Sequence, residues 1–556
     1  MKMTFIRVTS AAACAVLLAA CTAGNVLNVQ NLYQPDVARL YSTPAGVESG
    51  IGNLYQQFNN GWNTTNVEPA TQMMSFEGFA TVANFCMNVR ASVPPNPIVN
   101  DRGNQCDGKG NPPSGNLADF SNFQKLARNA ANLVQALDGI TKAGNTTGSA
   151  AQDARDRGFA QFVTAVSLGM TALVYDSGAI VNNTVNSNAI PPLSGYQALM
   201  TAALAELDSA LATAGGANAT AAFPLPSAWI SGNPMSQAQF VQFLHSWKAR
   251  LRAGVARTPA ERAAVSWSSV IADATAGITA DVGILMGGGW NCSYDCSQMY
   301  VSNGWHEMSL MILGMADTSG AYETFISSPL ASRDGSQLLI RSPDQRLPQG
   351  ATRAAQNADT PYSGNSFTPG RYFNNRLSSD DFAGPGYGSS QYDHKRWLAI
   401  YRNQGVGTMV QFSLAENNML AAEGYISTGN FASARTLIDA SRALHGLPSI
   451  GAIASATQQI QGGVNGCVPQ VPAPPAFNTA PCGSILEAMK WEKRMETAYG
   501  SAYSWWIDGR GWGDLVYGMP TMFPVPNEEM DSRQEPFYNL GGIGNPGSAG
   551  HGTYGF

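Results

Sequence analysis

In DRGFAQFVTAVSLGMTALVYD, residues 156–176, apolar side chains return at the spacing of an α-helix: Phe159, Phe162, Val163, Val166, Met170, Leu173 and Val174 share one stripe. Ala160, Ala165, Gly169 and Ala172 are small enough to let a second helix approach closely. Such a segment reads as a packed helix that must bury its stripe against other elements. The pattern returns at 196–212 through Tyr196, Leu199, Ala203, Leu207 and Ala210, widened by Leu204 and Leu211. Ser236 and Gln239 suit a capping box for the next helix, with Met235 placed to staple Phe240 and a stripe of Phe240, Phe243, Leu244, Trp247 and Leu251. Thr258, Pro259 and Glu261 then supply an N-cap, a first-turn proline and an N3 acid for a helix through Trp267, Val270, Ile271 and Ala274. Residues 236–280 therefore read as an antiparallel pair.

A second pair spans 410–448, broken at Gly429-Asn430, with Ala421, Ala422, Ala432 and Ala434 as small contacts. Its size is close to a tetratricopeptide unit. A last helix runs from Ser484 to about Gly500. Long irregular stretches at 91–117, 284–312, 341–395 and 456–483 separate these helices, and loops of that length carry function or small pieces of sheet. Helix pairs stand on both sides of the loops and no Ser/Gly linker divides them. The expectation is one large, mainly α domain over 35–556, decorated by loops and containing little β-structure.

The N-terminus addresses the chain to a membrane. Lys2 and Arg7 precede VTSAAACAVLLAAC, whose apolar run is too short for a bilayer that needs roughly 20 residues. Residues 1–20 read as an export signal, and Leu18-Ala19-Ala20-Cys21 matches the bacterial lipobox that acylates its cysteine. Lipidated Cys21, followed by a tether over 21–34, would hold a soluble body on the membrane, since two or more acyl chains anchor where one is marginal. No Asp follows Cys21, which favours the outer membrane.

Eight cysteines are present; Cys14 leaves with the signal and Cys21 is acylated. Cys86, Cys106, Cys292, Cys296, Cys467 and Cys482 remain, an even set that reads as disulfides in an oxidising compartment. Neighbours in sequence pair most simply, although six cysteines allow fifteen connectivities. Charged residues are 13% of the chain and its net charge is −6, so no basic field exists to gather nucleic acid. A low-charge surface rich in aromatic residues suits a neutral polar ligand.

The last third carries a family signature. FPVPNEE at 523–529 is similar to a Phe-Pro-Ile-Pro-x-x-Glu motif, and GNPG at 544–547 to a closing Gln-Asn-Pro-Gly with Gly544 in place of Gln. WEKRMETAYGSAYSWWIDGRGWGDL resembles a Glu-Arg-x-x-Glu-Leu helix followed by Arg-x-x-Asp-Leu-x-Arg-Trp-Gly, with Asp508, Arg510, Trp512 and Gly513 in the second part. Lys493 departs from the usual Arg, and Tyr499 from a common Glu. SPDQRLP at 342–348 resembles an Asp-x-Arg turn. Together these residues resemble the SusD/RagB family of outer-membrane nutrient-binding lipoproteins. The resemblance implies a SusD-like fold of four tetratricopeptide-like helix pairs in a superhelix, with a loop-rich half facing the ligand. It also implies a binding protein rather than an enzyme, seated on a SusC-like TonB-dependent transporter and capturing oligosaccharides or peptides.

Glycan capture asks for flat rings against sugar faces, flanked by amides and guanidinium groups. GGGWNCSYDCSQMYVSNGWHE, 287–307, has that inventory in Trp290, Tyr294, Tyr300 and Trp305 with Asn291 and Asn303. The alternative for any one ring is a plug in the helical core. Asn84, Phe85, Asn88 and Arg90 beside Cys86 form a second candidate, and Tyr392 and Trp397 a third, with a core role favoured for Trp397. No cofactor is implied and no metal site is expected: a C-x3-C with one histidine offers too few ligands, and His306-Glu307 has no second histidine four residues on. Glu492 and Glu496, one helical turn apart, read as a helix-surface pair beside Lys493 and Arg494 rather than a glycosidase dyad. A helical scaffold lipoprotein without a small ligand, and a surface hydrolase, are the competing readings.

Overall fold

The computed structural model describes residues 41–62, 67–80, 87–100, 116–292, 296, 306–329, 332–335, 338–359, 371–376, 388–461, 467–501, 503–550 and 552–556. The export signal, the tether, Cys21, Cys86 and Cys106 lie outside them. The principal helices are α1 Pro44–Gly52, α2 Leu54–Trp62, α3 Leu117–Lys142, α4 Ala150–Val174, α5 Tyr196–Ala214, α6 Gln237–Gly254, α7 Trp267–Thr275, α8 Leu414–Ser427, α9 Phe431–Leu444, α10 Ile485–Thr497 and α11 Ser504–Trp512. From α3 to α10 each packs on the next, so the helices form one continuous array into which long irregular segments are inserted after α7 and after α9.

The helix over 156–176 extends to Ala150–Val174, with Ser149 accepting the Gln152 N–H as N-cap. Its stripe is buried between α3 and α5, and its small residues permit close approach: a Cβ on Gly158 would lie 2.4 Å from Ala214 Cβ, and one on Gly169 would lie 2.7 Å from the Leu251 side chain. The capping box of α6 forms as expected, Gln239 N–H to Ser236 Oγ at 3.3 Å and Ser236 N–H to Gln239 Oε1 at 2.9 Å. Gly429 takes a φ of +77°, which only glycine adopts freely, and Asn430 caps α9 by accepting the Ser433 N–H.

The helix expected to run from Pro259 through Ala274 is instead two, Pro259–Ala263 and α7. The Arg262 carbonyl, which would accept the next turn's N–H in a continuous helix, takes the Trp267 indole N–H at 3.1 Å. That bond turns the chain, and Trp267 N–H goes to the Val265 carbonyl at 2.8 Å.

The insertions carry most of the short strands. β1 Gly78–Ala80 pairs with β5 His306–Met308, β2 Ser177–Ala179 with β3 Leu193–Gly195, β4 Val282–Met286 with β8 Gly407–Phe412, and β6 Phe373–Asn375 with β7 Tyr392–His394, all antiparallel. Two of the simplest disulfides form, Cys292–Cys296 and Cys467–Cys482, with Cα atoms 5.4 and 5.6 Å apart. FPVP straps the end of α4: Phe523 N–H donates to the Val174 carbonyl at 2.9 Å and its carbonyl accepts Asp176 N–H at 3.0 Å.

Candidate functional site

The base of the 287–307 loop is set by the β4–β8 ladder, which ends where Met286 meets Gly407. Gly287, Gly288 and Gly289 then take φ of +107°, +60° and +96°, and the Gly287 and Trp290 peptides exchange hydrogen bonds across the turn at 2.9 and 3.1 Å. Three successive left-handed residues need glycine, and the result swings Trp290 inward. Its ring is 7% exposed and 6.5 Å from that of Tyr55 on α2. Trp290 is therefore a packing residue in this arrangement, because the turn that fixes the loop also aims its first ring at the core.

Amides of α2 dock the loop. Asn60 donates from Nδ2 to the Gly289 carbonyl at 2.8 Å and accepts the Asn291 N–H at 2.9 Å, while Asn59 Nδ2 donates to the Asn291 carbonyl at 3.3 Å. The Asn291 side chain itself is exposed. Both Cys292 and Cys296 are buried, with the Met409 sulfur of β8 3.2 Å from Cys292 Sγ. The disulfide thus fastens the loop's base to the ladder. Tyr294, Tyr300, Asn303 and Trp305 lie outside the described residues.

The strands add surface that the aromatic inventory did not reveal. Val282, Ile284 and Met286 alternate inward, leaving Leu285 on the other face, where it is 45% exposed. Val406, also 45% exposed, stands just before β8, and a Cβ on Gly287 would lie 3.1 Å from its side chain. The period-two alternation of VGILM is the signal that places Leu285 outward.

The second and third candidates are less open. Asn84, Phe85 and Cys86 lie outside the described residues, and Asn88 is exposed. Arg90 is 5% exposed, its guanidinium donating to the Pro97 carbonyl at 3.3 Å. Tyr392 is buried, its hydroxyl taking the Ile340 N–H at 2.8 Å and donating to Gln356 Oε1 at 3.0 Å. Trp397 is buried as well, and its indole N–H donates to the Tyr499 carbonyl.

Glu492 and Glu496 are not on a helix surface. Arg346, from the SPDQRLP turn, lies between them: its Nη1 is 3.0 Å from Glu492 Oε2 and 3.0 Å from Glu496 Oε1, and its Nη2 is 2.8 Å from Asp344 Oδ2. All four residues are buried. Burial opposes ionisation of Glu496, but the hydrogen bond with His445 and the charges of Arg346 and Arg396 outweigh it, holding the carboxyl down at about 2. A carboxylate held ionised in this way is poorly suited to donate a proton near neutral pH. A second network joins Arg262 to Glu423 and Asp508, with Lys493 Nζ 2.8 Å from Asp508, so Lys493 is paired within a buried ionic network. Among the described residues no group of three or more His, Cys, Asp or Glu side chains is arranged to hold a metal.

No family model matches the sequence, and no curated protein matches it either. Solved structures do match. A SusD homolog from Bacteroides thetaiotaomicron is 13% identical, covers 88% of this chain and 93% of its own, and superposes with a TM-score of 0.53. A SusD homolog from Parabacteroides distasonis is 15% identical over 83% of this chain and 84% of its own, at 0.53. A SusD superfamily protein from Bacteroides vulgatus is 11% identical over 85% and 89%, at 0.51. The helical array with its two long insertions is therefore the SusD-like fold.

Proposed function

We propose that this chain is a SusD/RagB-type nutrient-binding lipoprotein of the cell envelope, anchored through Cys21 in the outer membrane. It would bind a neutral oligosaccharide, or a peptide, and hand it to a SusC-like TonB-dependent transporter. Residues 1–20 are the export signal, 21–34 the lipidated tether and 35–556 the binding domain. The observation that carries this reading is a lipobox on a chain whose SusD-like fold extends over more than four-fifths of its length. The proposed ligand lip is the loop at 287–307, in which the buried disulfide and Trp290 hold the base while Asn291, Tyr294, Tyr300 and Trp305 provide amide and rings. Leu285 and Val406 add an apolar flank. A base fixed before the ligand arrives reduces the entropy lost on binding.

A screen of neutral glycans and peptides against the purified protein tests this reading. Binding of at least one ligand that weakens in Asn291→Ala and Trp305→Ala is expected. Equal affinity in both variants discards the lip, and hydrolysis of a bound glycan or peptide replaces the capture reading with the hydrolase.

A further inference from the structure

At the opposite end of the β4–β8 ladder from the loop, between the close of α7 and the facing sides of α8 and α9, lies a cleft of about 540 Å³. That is within the range of pockets that enclose small ligands. Its floor is apolar, made by Ile278, Ala421 and Leu437. Around the floor stand Thr275, Thr279, Asn418, Tyr425 and Ser433. Among the described residues none of these five side chains makes a hydrogen bond within the protein. Asn417 beside them is by contrast fully engaged, donating to the Ala274 carbonyl and accepting from Ser246, both at 2.8 Å. Five polar groups without partners thus border an apolar floor, and no charged side chain lines the cleft.

We propose that this cleft is a binding site for a neutral saccharide, separate from the loop. A pyranose ring presents an apolar C–H face and a perimeter of hydroxyls, which matches the floor, the Tyr425 ring and the hydroxyl and amide border. A charged ligand would find no counter-ion there, and an acyl chain would strip water from the polar border without replacing its hydrogen bonds. The ladder sets the distance between the two places. Val282 pairs with Phe412 next to the cleft and Met286 with Gly407 next to the loop, a run of about 13 Å at roughly 3.3 Å per residue. Separate substitutions in the cleft and in the loop therefore test the two places independently.

Isothermal titration of the purified protein with maltohexaose, cellohexaose, xylohexaose and mannohexaose decides the matter. At least one of the four is expected to bind, with affinity at least tenfold lower in the double variant Asn418→Ala/Tyr425→Ala and in Ser433→Trp, which fills the cleft instead of emptying it. Thermal unfolding of all variants is measured alongside. No binding by any of the four, or wild-type affinity in both cleft variants, overturns the proposal. Binding that is lost only in Asn291→Ala and Trp305→Ala also overturns it, while leaving the loop reading in place.

Discussion

Arg346 has no access to solvent, and its guanidinium meets three carboxylates contributed by a turn and by a helix about 146 residues further on. Removing one partner from such a group leaves buried charges uncompensated, at a cost of about 3–5 kcal/mol. Arg346→Ala is therefore expected to lower stability by that amount in urea unfolding, and a loss below 1 kcal/mol would show that the cluster is not a unit. The same cluster sets a pH response. Glu496 is held at about 2 against an ordinary 4.5, so it contributes stability in full above 4.5 and loses it as the pH falls toward 2. Glu496→Gln should flatten the acid limb of the stability profile between those values without changing its neutral slope. Both ends of the cluster were visible in the sequence, SPDQRLP and WEKRMET, but their pairing was not. Spacing shows that Glu492 and Glu496 share a helix face; only the tertiary partner decides whether that face meets water.

Helix α4 places a glycine where its neighbour's backbone is closest. A Cβ on Gly158 would lie 2.7 Å from the Ala214 amide nitrogen, a contact that a flexible side chain cannot relieve. Gly158→Ala should therefore cost about 1–3 kcal/mol despite the higher helix propensity of alanine, and a gain in stability would mean that α4 and α5 slide freely. The stripe of α4 and the capping box of α6 were legible because capping and periodicity are local. The break before α7 was not, since it depends on an indole reaching back to the Arg262 carbonyl. The 287–291 turn divides in the same way. Its glycines announce a bend, yet the direction of Trp290 follows from three φ values that the sequence permits without imposing. This alters what an alanine scan of the loop reports. Trp290→Ala should destabilise by about 3–5 kcal/mol through the core, whereas Asn291→Ala should stay within about 0.5 kcal/mol. Thermal unfolding separates the two, and only Asn291→Ala reads binding cleanly.

For the whole molecule, a fold shared with proteins only 11–15% identical means that the helical array tolerates wide exchange of its core. Cores accept substitution when volume and pattern persist, while turns and buried ion pairs hold a few residue types in place. That division explains why short motifs such as FPVP and Asp-x-Arg pointed to the architecture when no family model matches. The proposed ligand lip lies instead in the 287–307 loop, where no helical periodicity limits the sequence, and so its residues were readable as an inventory but not as a geometry. Attachment belongs to this scale as well. Described helices account for a packed body, and α4, the one described helix apolar and long enough to cross a bilayer, has most of its surface inside that body. If Cys21 carries the anchor, Cys21→Ser leaves the 35–556 body folded but without its acyl chains, and a single change should move the protein from the membrane fraction to the soluble one. Crosslinking in intact cells before fractionation should then recover a TonB-dependent barrel with the wild type and much less of it with Cys21→Ser, because tethering raises the local concentration of the two partners. Membrane retention of Cys21→Ser would locate the attachment elsewhere in the chain, and equal recovery of the barrel would assign the contact to the folded body alone.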